Sequence, residues 1–278
     1  MLSPGLYIVA TPIGNLGDLS ERALETLRGV SRIYAEDTRH SQKLLNHFDI
    51  RVELRSLHQH NELSRAPEII ELTRSGAAVA LITDAGTPGI SDPGSAVVGA
   101  ALQAAQAVIP IPGASALAAA LSASGFDHGQ DGTLWQGFLP QKSKARRDLI
   151  TRLAGFPGVV VFLESPHRIE ACAKDLAEIM GERPLVVCRE LTKKYETILR
   201  TTCSNFPTQS SDSARGELTL VLGPTPPLPS TEVESRALDA LASLLAAGFS
   251  AKDASKAASV VFGVSKKTLY AAANAKKV

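Results

Sequence analysis

Residues 79–94 read VALITDAGTPGISDPG, a short apolar run that empties into a loop rich in glycine and proline. Val79, Ala80, Leu81 and Ile82 are continuously apolar with a β-branched residue at each end, as expected of a strand buried on both faces. Thr83 and Asp84 stand at its carboxyl end. Gly86, Pro88, Gly89, Pro93 and Gly94 then turn the backbone repeatedly and leave few side chains in the way of a ligand. In open α/β sheets ligands lie beyond the carboxyl ends of the strands, so Asp84 is placed to accept a hydrogen bond there. The plain alternative is a solvated strand-to-helix connection with Asp92 as helix cap.

Upstream, residues 5–10 (GLYIVA) form a second strand that runs into a loop of the same character, Thr11-Pro12-Ile13-Gly14-Asn15-Leu16-Gly17. Two such loops imply one shared pocket. Asp18 or Ser20 caps a helix carrying Leu19, Ala23, Leu24 and Leu27 at helical spacing, and Gly29 ends it. The strand at 33–35 delivers Glu36-Asp37-Thr38-Arg39-His40, which is either a polar functional cluster or a helix start with Thr38 as cap. A helix through Leu44, Leu45 and Phe48, a strand near 52–57 and a helix over 64–74 follow. His58 and His60 lie two apart, with no cysteine or third histidine close by, so no metal is expected. Beyond the central loop, a helix over 96–105 and a strand over 108–111 lead to Pro112-Gly113-Ala114-Ser115-Ala116. There the exposed backbone N–H groups and the Ser115 hydroxyl suit a polar ligand group, or Ser115 merely caps the next helix. This alternation predicts an α/β fold with a mainly parallel sheet covered by helices on both faces.

The texture changes at 124–132, SGFDHGQDG, a domain boundary, and 133–138 opens a second sheet. Lys142, Lys144, Arg146 and Arg147 place four cations within six residues, suited to phosphates or to a solvated helix face. Strands are expected at 159–163, 185–188, 195–200 and 218–222. The first hands over Glu164-Ser165-Pro166-His167-Arg168, and the second Arg189-Glu190-Leu191-Thr192-Lys193. Residues 224–229, PTPPLP, read as a stiff linker. Three helices then follow over 232–246, 251–262 and 266–275. From residue 247 onward six lysines face one acid, Asp253, and GVSKKTL, with Gly263 as stop and Ser265 as cap, has the form of a helix-turn-helix turn. That charge points to nucleic acid, against a helical lid or dimer contact. The expected domains are 1–123, 124–225 and 230–278.

Composition bounds the function classes. A 278-residue chain with net charge +1 is no global polyanion binder, and a hydrophobic fraction of 44% with 21% charged residues is ordinary for a soluble globular protein. No apolar run reaches transmembrane length and no leader pattern opens the chain, so a cytoplasmic protein is expected. Cys172, Cys188 and Cys203 are too scattered for a metal or disulfide framework and read as buried, reduced and inert.

Taken together, TPIGNLGDL (11–19), AEDTRH (35–40), TDAGTPGISDPG (83–94), PGASA (112–116), ESPHR (164–168) and RELTK (189–193) resemble the tetrapyrrole methylase family on its RNA-modifying branch. The resemblance spans nearly the whole chain, and the first loop departs from the G-x-G-x-P type of the tetrapyrrole branch. It implies a two-domain class III S-adenosylmethionine methyltransferase fold with a helix-turn-helix-like extension, usually homodimeric. The cofactor would lie in the cleft between the α/β domains against Ala10, Thr11, Pro12, Asp84, Thr87, Ser115, Ala116, Leu163, Leu191, Gly216 and Glu217. The implied reaction is 2′-O-methylation of a cytidine ribose in the decoding centre of 16S ribosomal RNA, within the 30S subunit. No family rule supplies the proton acceptor. Polar candidates at the reacting centre are Glu36, Asp37, Arg39, Glu164, His167, Arg168 and Glu190, with Arg39 and Arg168 assigned to phosphate or carboxylate. Lys142, Lys144, Arg146, Arg147, Lys266 and Lys267 are the RNA candidates. The rival readings are a tetrapyrrole-precursor methyltransferase and a non-catalytic RNA-binding or ribosome-assembly factor. A Rossmann dehydrogenase is disfavoured because the first turn lacks G-x-G-x-x-G.

Overall fold

The computed structural model describes residues 2–128, 131–210, 216–226 and 230–275. Residues 129–130 of the expected boundary, 227–229 of the proline-rich linker, and Lys276 and Lys277 lie outside the described residues. The chain divides into two compact units, 1–225 and 226–278.

The first unit holds two five-stranded sheets. In the first, β1 (Gly5–Val9), β2 (Arg32–Ala35), β3 (Glu53–Ser56), β4 (Ala78–Ile82) and β5 (Val108–Ile111) are all parallel, in the order β3-β2-β4-β1-β5. Between them run α1 (Glu21–Gly29), α2 (Thr38–His47), α3 (Glu62–Arg74) and α4 (Ser95–Gln103), and α5 (Ala116–Ser124) follows β5. Every residue of β4 is buried. Strand alternation divides the apolar side chains between two cores: Ile33 and Ile82 pack with Leu27 and Leu45, while Tyr34 and Leu81 pack with Leu57 and Ile69.

Caps differ in detail from the sequence expectation. Ser20 caps α1 through Ala23 N. Asp37, not Thr38, caps α2, because its carboxylate reaches both Arg39 N and His40 N. Asp92 does not cap α4, whose N-cap is Gly94 at φ +133°. The Ala96 N–H of that helix instead donates to the buried Glu62 carboxylate at the start of α3 (3.1 Å). A Cβ on Gly94 would stand 2.9 Å from Leu81, so the turn beneath the central loop needs glycine twice over.

The second sheet comprises β6 (Thr133–Phe138), β7 (Val159–Glu164), β8 (Pro184–Arg189), β9 (Thr197–Thr202) and β10 (Leu218–Leu222), ordered β6-β7-β10-β8-β9. Only the β6–β7 pair is parallel, joined through α6 (Ser143–Ala154); α7 (Ile169–Met180) links β7 to β8. The short connection from Arg189 to Thr197 carries no helix, and parallel neighbours need a crossover of about a dozen residues or more, so β8 and β9 pair antiparallel. The strand expected from 195 starts at Thr197, because Tyr195 sits exposed in the turn. One face packs Phe162, Leu176, Leu185 and Phe206. The other packs Val161, Val186 and Leu191 against Ile13 and Ala120, and so joins the two sheets. Buried Arg183 donates to the Leu153, Gly158 and Gly223 carbonyls, giving its guanidinium partners inside the fold. Cys172, Cys188 and Cys203 are free and buried, and burial pushes all three thiols up.

The second unit consists of α8 (Ser230–Ala246), α9 (Ala251–Phe262) and α10 (Lys266–Ala275), which meet around Ala237, Leu241, Ala254, Ala258, Leu269 and Ala273. Gly263 ends α9 in the left-handed conformation. No described helix is long and apolar enough to cross a membrane.

Candidate active site

The two glycine- and proline-rich loops meet directly. Thr11 N donates to the Gly86 carbonyl (2.8 Å) and Gly86 N to the Thr11 carbonyl (3.0 Å), and the Thr11 hydroxyl reaches the Thr83 carbonyl (3.0 Å). This tie braces the carboxyl ends of β1 and β4 as one ledge. Two cavities open beside it, of about 320 and 540 Å³, and share Ile13, Ala85 and Glu217 in their walls. The first lies between the ledge and the second sheet, against Thr87, Ser115, Ala116, Trp135, Leu163 and Glu164. The second lies against the start of α2, lined by Thr11, Pro12, His40, Lys43, Asp84 and Lys193.

Of the residues expected around a cofactor, Thr87, Ser115, Ala116, Leu163 and Glu217 line the first cavity, and Thr11, Pro12, Asp84 and Glu217 the second. Ala10, Leu191 and Gly216 line neither. Ala10 is buried beside Gly113, Leu191 belongs to the apolar cluster between the sheets, and Gly216 makes room for the Glu190 carboxylate, which a Cβ there would meet at 2.5 Å. Gly216 also holds φ +81°, so both space and conformation require glycine. Ser115 stands at the N-cap of α5 but makes no capping bond.

The polar candidates separate sharply. Glu164 ends β7 with its side chain fully buried; one carboxylate oxygen accepts from Ser165 N and the Arg168 guanidinium, while Oε2 has no partner among the described residues. Arg168 is held by that carboxylate and by the Leu139 carbonyl (3.1 Å), so in the structure its guanidinium serves a carboxylate and positions Glu164. Glu190, at φ +53°, receives Glu217 N (2.9 Å) and Lys193 Nζ (3.0 Å). These donors hold its pKa below the usual carboxylate range, which makes it a latch between two loops and a poor proton acceptor. Asp37 is exposed and committed to its cap, and the Arg39 and His40 backbone N–H groups hold its carboxyl low. Arg39 and His167 are exposed and line neither cavity.

Glu36 belongs to an acidic group that sequence reasoning saw only in part. It follows β2, Asp84 follows β4, and Asp92 lies in the wall of the first cavity. Asp84 Oδ1 accepts from Asp37 N (3.1 Å), which fixes the group to the ledge. Burial first, then the charges of Glu36 and Asp84, push Asp92 up to about 7, far above an ordinary aspartate. Burial and Asp84 likewise raise Glu36. Asp92 was read only as a helix cap; the signal available was its place in the glycine-rich loop two residues before Gly94.

The basic run also divides. Lys142 and Lys144 are exposed, but Arg146 is buried against Asp175 (2.7 Å), and half-buried Arg147 is shared between Asp175 and Glu178. Arg146, Ile150 and Leu153 make the buried stripe of α6 at helical spacing, so the arginine's direction was written in the sequence. Lys266 and Lys267 are exposed on α10.

A class III cofactor fits this cleft on the structure's own terms. The first cavity combines apolar walls (Ile13, Leu117, Leu163), an uncapped serine at a helix start, and buried Glu164 Oε2 still lacking a donor, and its volume lies in the range of small-molecule sites.

Residues 5–207 match the family model for tetrapyrrole (corrin/porphyrin) methylases, and residues 232–277 match the model for the RsmI C-terminal HTH domain. The chain is 46% identical to the ribosomal RNA small subunit methyltransferase I of Xylella fastidiosa (strain Temecula1), over 97% of this chain and 99% of that protein. Its identity to the protein of the same name from Synechocystis sp. is 44%, over 90% of each. Among solved structures, the uroporphyrin-III C-methyltransferase of Thermus thermophilus complexed with S-adenosyl homocysteine shares the fold at a TM-score of 0.54. That likeness has 18% identity and covers 79% of this chain and 97% of that one. With matched halves, ledge and extension in hand, the chain belongs to the tetrapyrrole methylase family, grouped with the relatives named ribosomal RNA small subunit methyltransferase I.

Proposed function

We propose that the chain transfers a methyl group from S-adenosylmethionine to the 2′-hydroxyl of a cytidine ribose in 16S ribosomal RNA, cytidine 1402 in the usual numbering. The observation that carries this reading is the pair of adjoining cavities with a common wall at Ile13, Ala85 and Glu217. Methyl transfer needs two bound partners whose reacting atoms touch, and adjoining seats meet that need. Thr87, Ser115, Ala116, Leu163 and Glu217 would hold the cofactor in the first cavity, with Asp84 reaching it from the ledge. The cofactor supplies an activated methyl carbon on sulfur. The names of the relatives support ribosomal RNA as the acceptor, and the proposal includes a cytoplasmic reaction on RNA within the 30S subunit.

The chain's own residues then orient, desolvate and take up a proton. Holding two reactants in a near-attack arrangement supplies about 7–11 kcal/mol, against about 3–5 kcal/mol for a general base. Orientation by the braced ledge is therefore the larger part. We assign the smaller part to Asp92, which stands in the wall of the first cavity, where burial beside Glu36 and Asp84 raises its pKa to about 7 while Glu190 and Asp37 are held low by their donors. Lys142 and Lys144 are free to follow the RNA backbone. The homodimer usual in the family is part of the same proposal, and light scattering tests it directly.

The deciding experiment offers labelled S-adenosylmethionine with undermethylated 30S subunits, naked 16S RNA and a tetrapyrrole precursor in parallel. Label on a cytidine ribose is the expected result. Label on the tetrapyrrole alone, or none on any RNA despite cofactor binding, would overturn the reading.

A further inference from the structure

We infer that Tyr270, with Lys252, Lys266 and Lys267 around it, is a seat for one unpaired nucleotide of RNA, the ring stacking a base and the lysines holding the flanking phosphates. This rests on the reading of the chain as an RNA-modifying enzyme and adds a contact outside its active site.

Among the described residues, these four line a hollow of about 480 Å³ in the second unit. Lys266 and Tyr270 are four apart on α10, and Lys267 and Tyr270 three apart, so all three share one helix face. An adjoining face of α10, about a quarter turn around the helix, buries Leu269 and Ala273 in the helical core. Tyr270 itself is 45% exposed. Lys252 joins it from the first turn of α9. None of the three lysines forms an ion pair with a described residue, whereas Arg236 on α8 is paired with Glu232. Charge is also segregated: the acids of the unit are Glu232, Glu234 and Asp239 on α8 plus Asp253, which is tied to Ser250, while the lysines among the described residues lie on α9 and α10.

An aromatic ring among unpaired cations is the form of a stacking platform, since every base has a face to stack and every nucleotide a phosphate to hold. The turn between α9 and α10 has the helix-turn-helix form, but the major groove of an RNA duplex is too deep and narrow for side chains to read. An unstacked base in a loop or single strand is the RNA partner that this surface fits.

The test uses the full chain and anisotropy of a fluorescein-labelled single-stranded oligoribonucleotide and of the same sequence as a duplex, across a series of salt concentrations. Tyr270→Ala is expected to weaken single-strand binding about fivefold to a hundredfold with the salt slope unchanged, while Tyr270→Phe keeps the parent affinity. Lys252→Ala, Lys266→Ala and Lys267→Ala should each lower the salt slope by about 0.7. Cofactor affinity by calorimetry and helical circular dichroism report whether each variant is folded. Parent-like affinity in Tyr270→Ala, a Phe variant as weak as Ala, or an equal loss on the duplex would each overturn the seat. Methyl transfer by the parent chain separates the two readings. If no RNA is methylated yet Tyr270 governs single-strand binding, the enzyme reading falls and the seat stands; if RNA is methylated and Tyr270→Ala binds normally, the reverse holds.

Discussion

Replacing Asp92 with Asn should make the first unit more stable and the enzyme far slower, and the two effects should share one pH dependence. Burial and the neighbouring Glu36 and Asp84 carboxylates raise Asp92 from an ordinary 3.8 to about 7. Asp37 and His58 face Glu36 in turn, with His58 opposing the rise of the Glu36 pKa. As pH rises from about 4 to about 7 the unfolded chain releases this proton and the folded chain keeps it, so the unfolded state binds fewer protons and stability falls across that window. At about 1.4 kcal/mol for each tenfold change in the ionisation equilibrium, the full difference is about 4 kcal/mol. Solvent reaching the carboxyl from the cavity halves it, leaving about 2 kcal/mol. In a unit of this size that moves the melting midpoint by about 4–8 °C. Thermal unfolding of Asp92→Asn and the parent should therefore nearly coincide at about pH 4 and separate, variant above parent, at about pH 8. Single-turnover methyl transfer should fall by about 10²–10⁴-fold in the variant and lose the acid limb near 7. A constant stability difference at both pH values, or an acid limb that survives in the variant, would refute the reasoning.

Glu36→Gln removes one of the charges acting on Asp92, so the acid limb of the parent rate profile should move to lower pH; an unmoved limb would separate the two carboxylates. Arg146→Ala leaves Asp175 buried with only half-buried Arg147 as partner and should cost about 3–5 kcal/mol in urea unfolding. Lys142→Ala with Lys144→Ala should leave urea unfolding unchanged and flatten the salt dependence of RNA binding, which an unaltered slope would contradict. Asp84→Ala should weaken cofactor binding at least tenfold by titration calorimetry while the chain stays folded, and parent-like affinity would remove Asp84 from the site.

Local signals carried the fold well where they were unambiguous. The apolar run at 79–82 and the glycine after α9 each have one physical reading, and the structure realises it, while Ser20 rather than Asp18 caps α1. The directions of the second sheet's strands were not legible, because they depend on how short the connection from Arg189 to Thr197 is once its ends are known. Side-chain commitments were the harder part. Glu36, Glu164 and Glu190 look alike as acids at strand ends, yet one shares a cavity-side acidic group, one is buried against Arg168 and one is locked by Lys193 and the Glu217 N–H. Those differences come from partners distant in sequence. Arg146 is the exception, since its spacing from Ile150 and Leu153 already placed it on the inner face of α6.

The chain has a single tryptophan, and it stands in the wall of the first cavity with its ring packed on the apolar cluster that joins the sheets. All indole emission therefore originates beside the cofactor seat. Light absorbed near the red edge of the protein band excites this ring and leaves the four tyrosines, Tyr270 among them, silent. Quenching or a spectral shift on adding a ligand thus reports occupancy of that cleft. One optical channel can follow cofactor binding without any label attached to the protein.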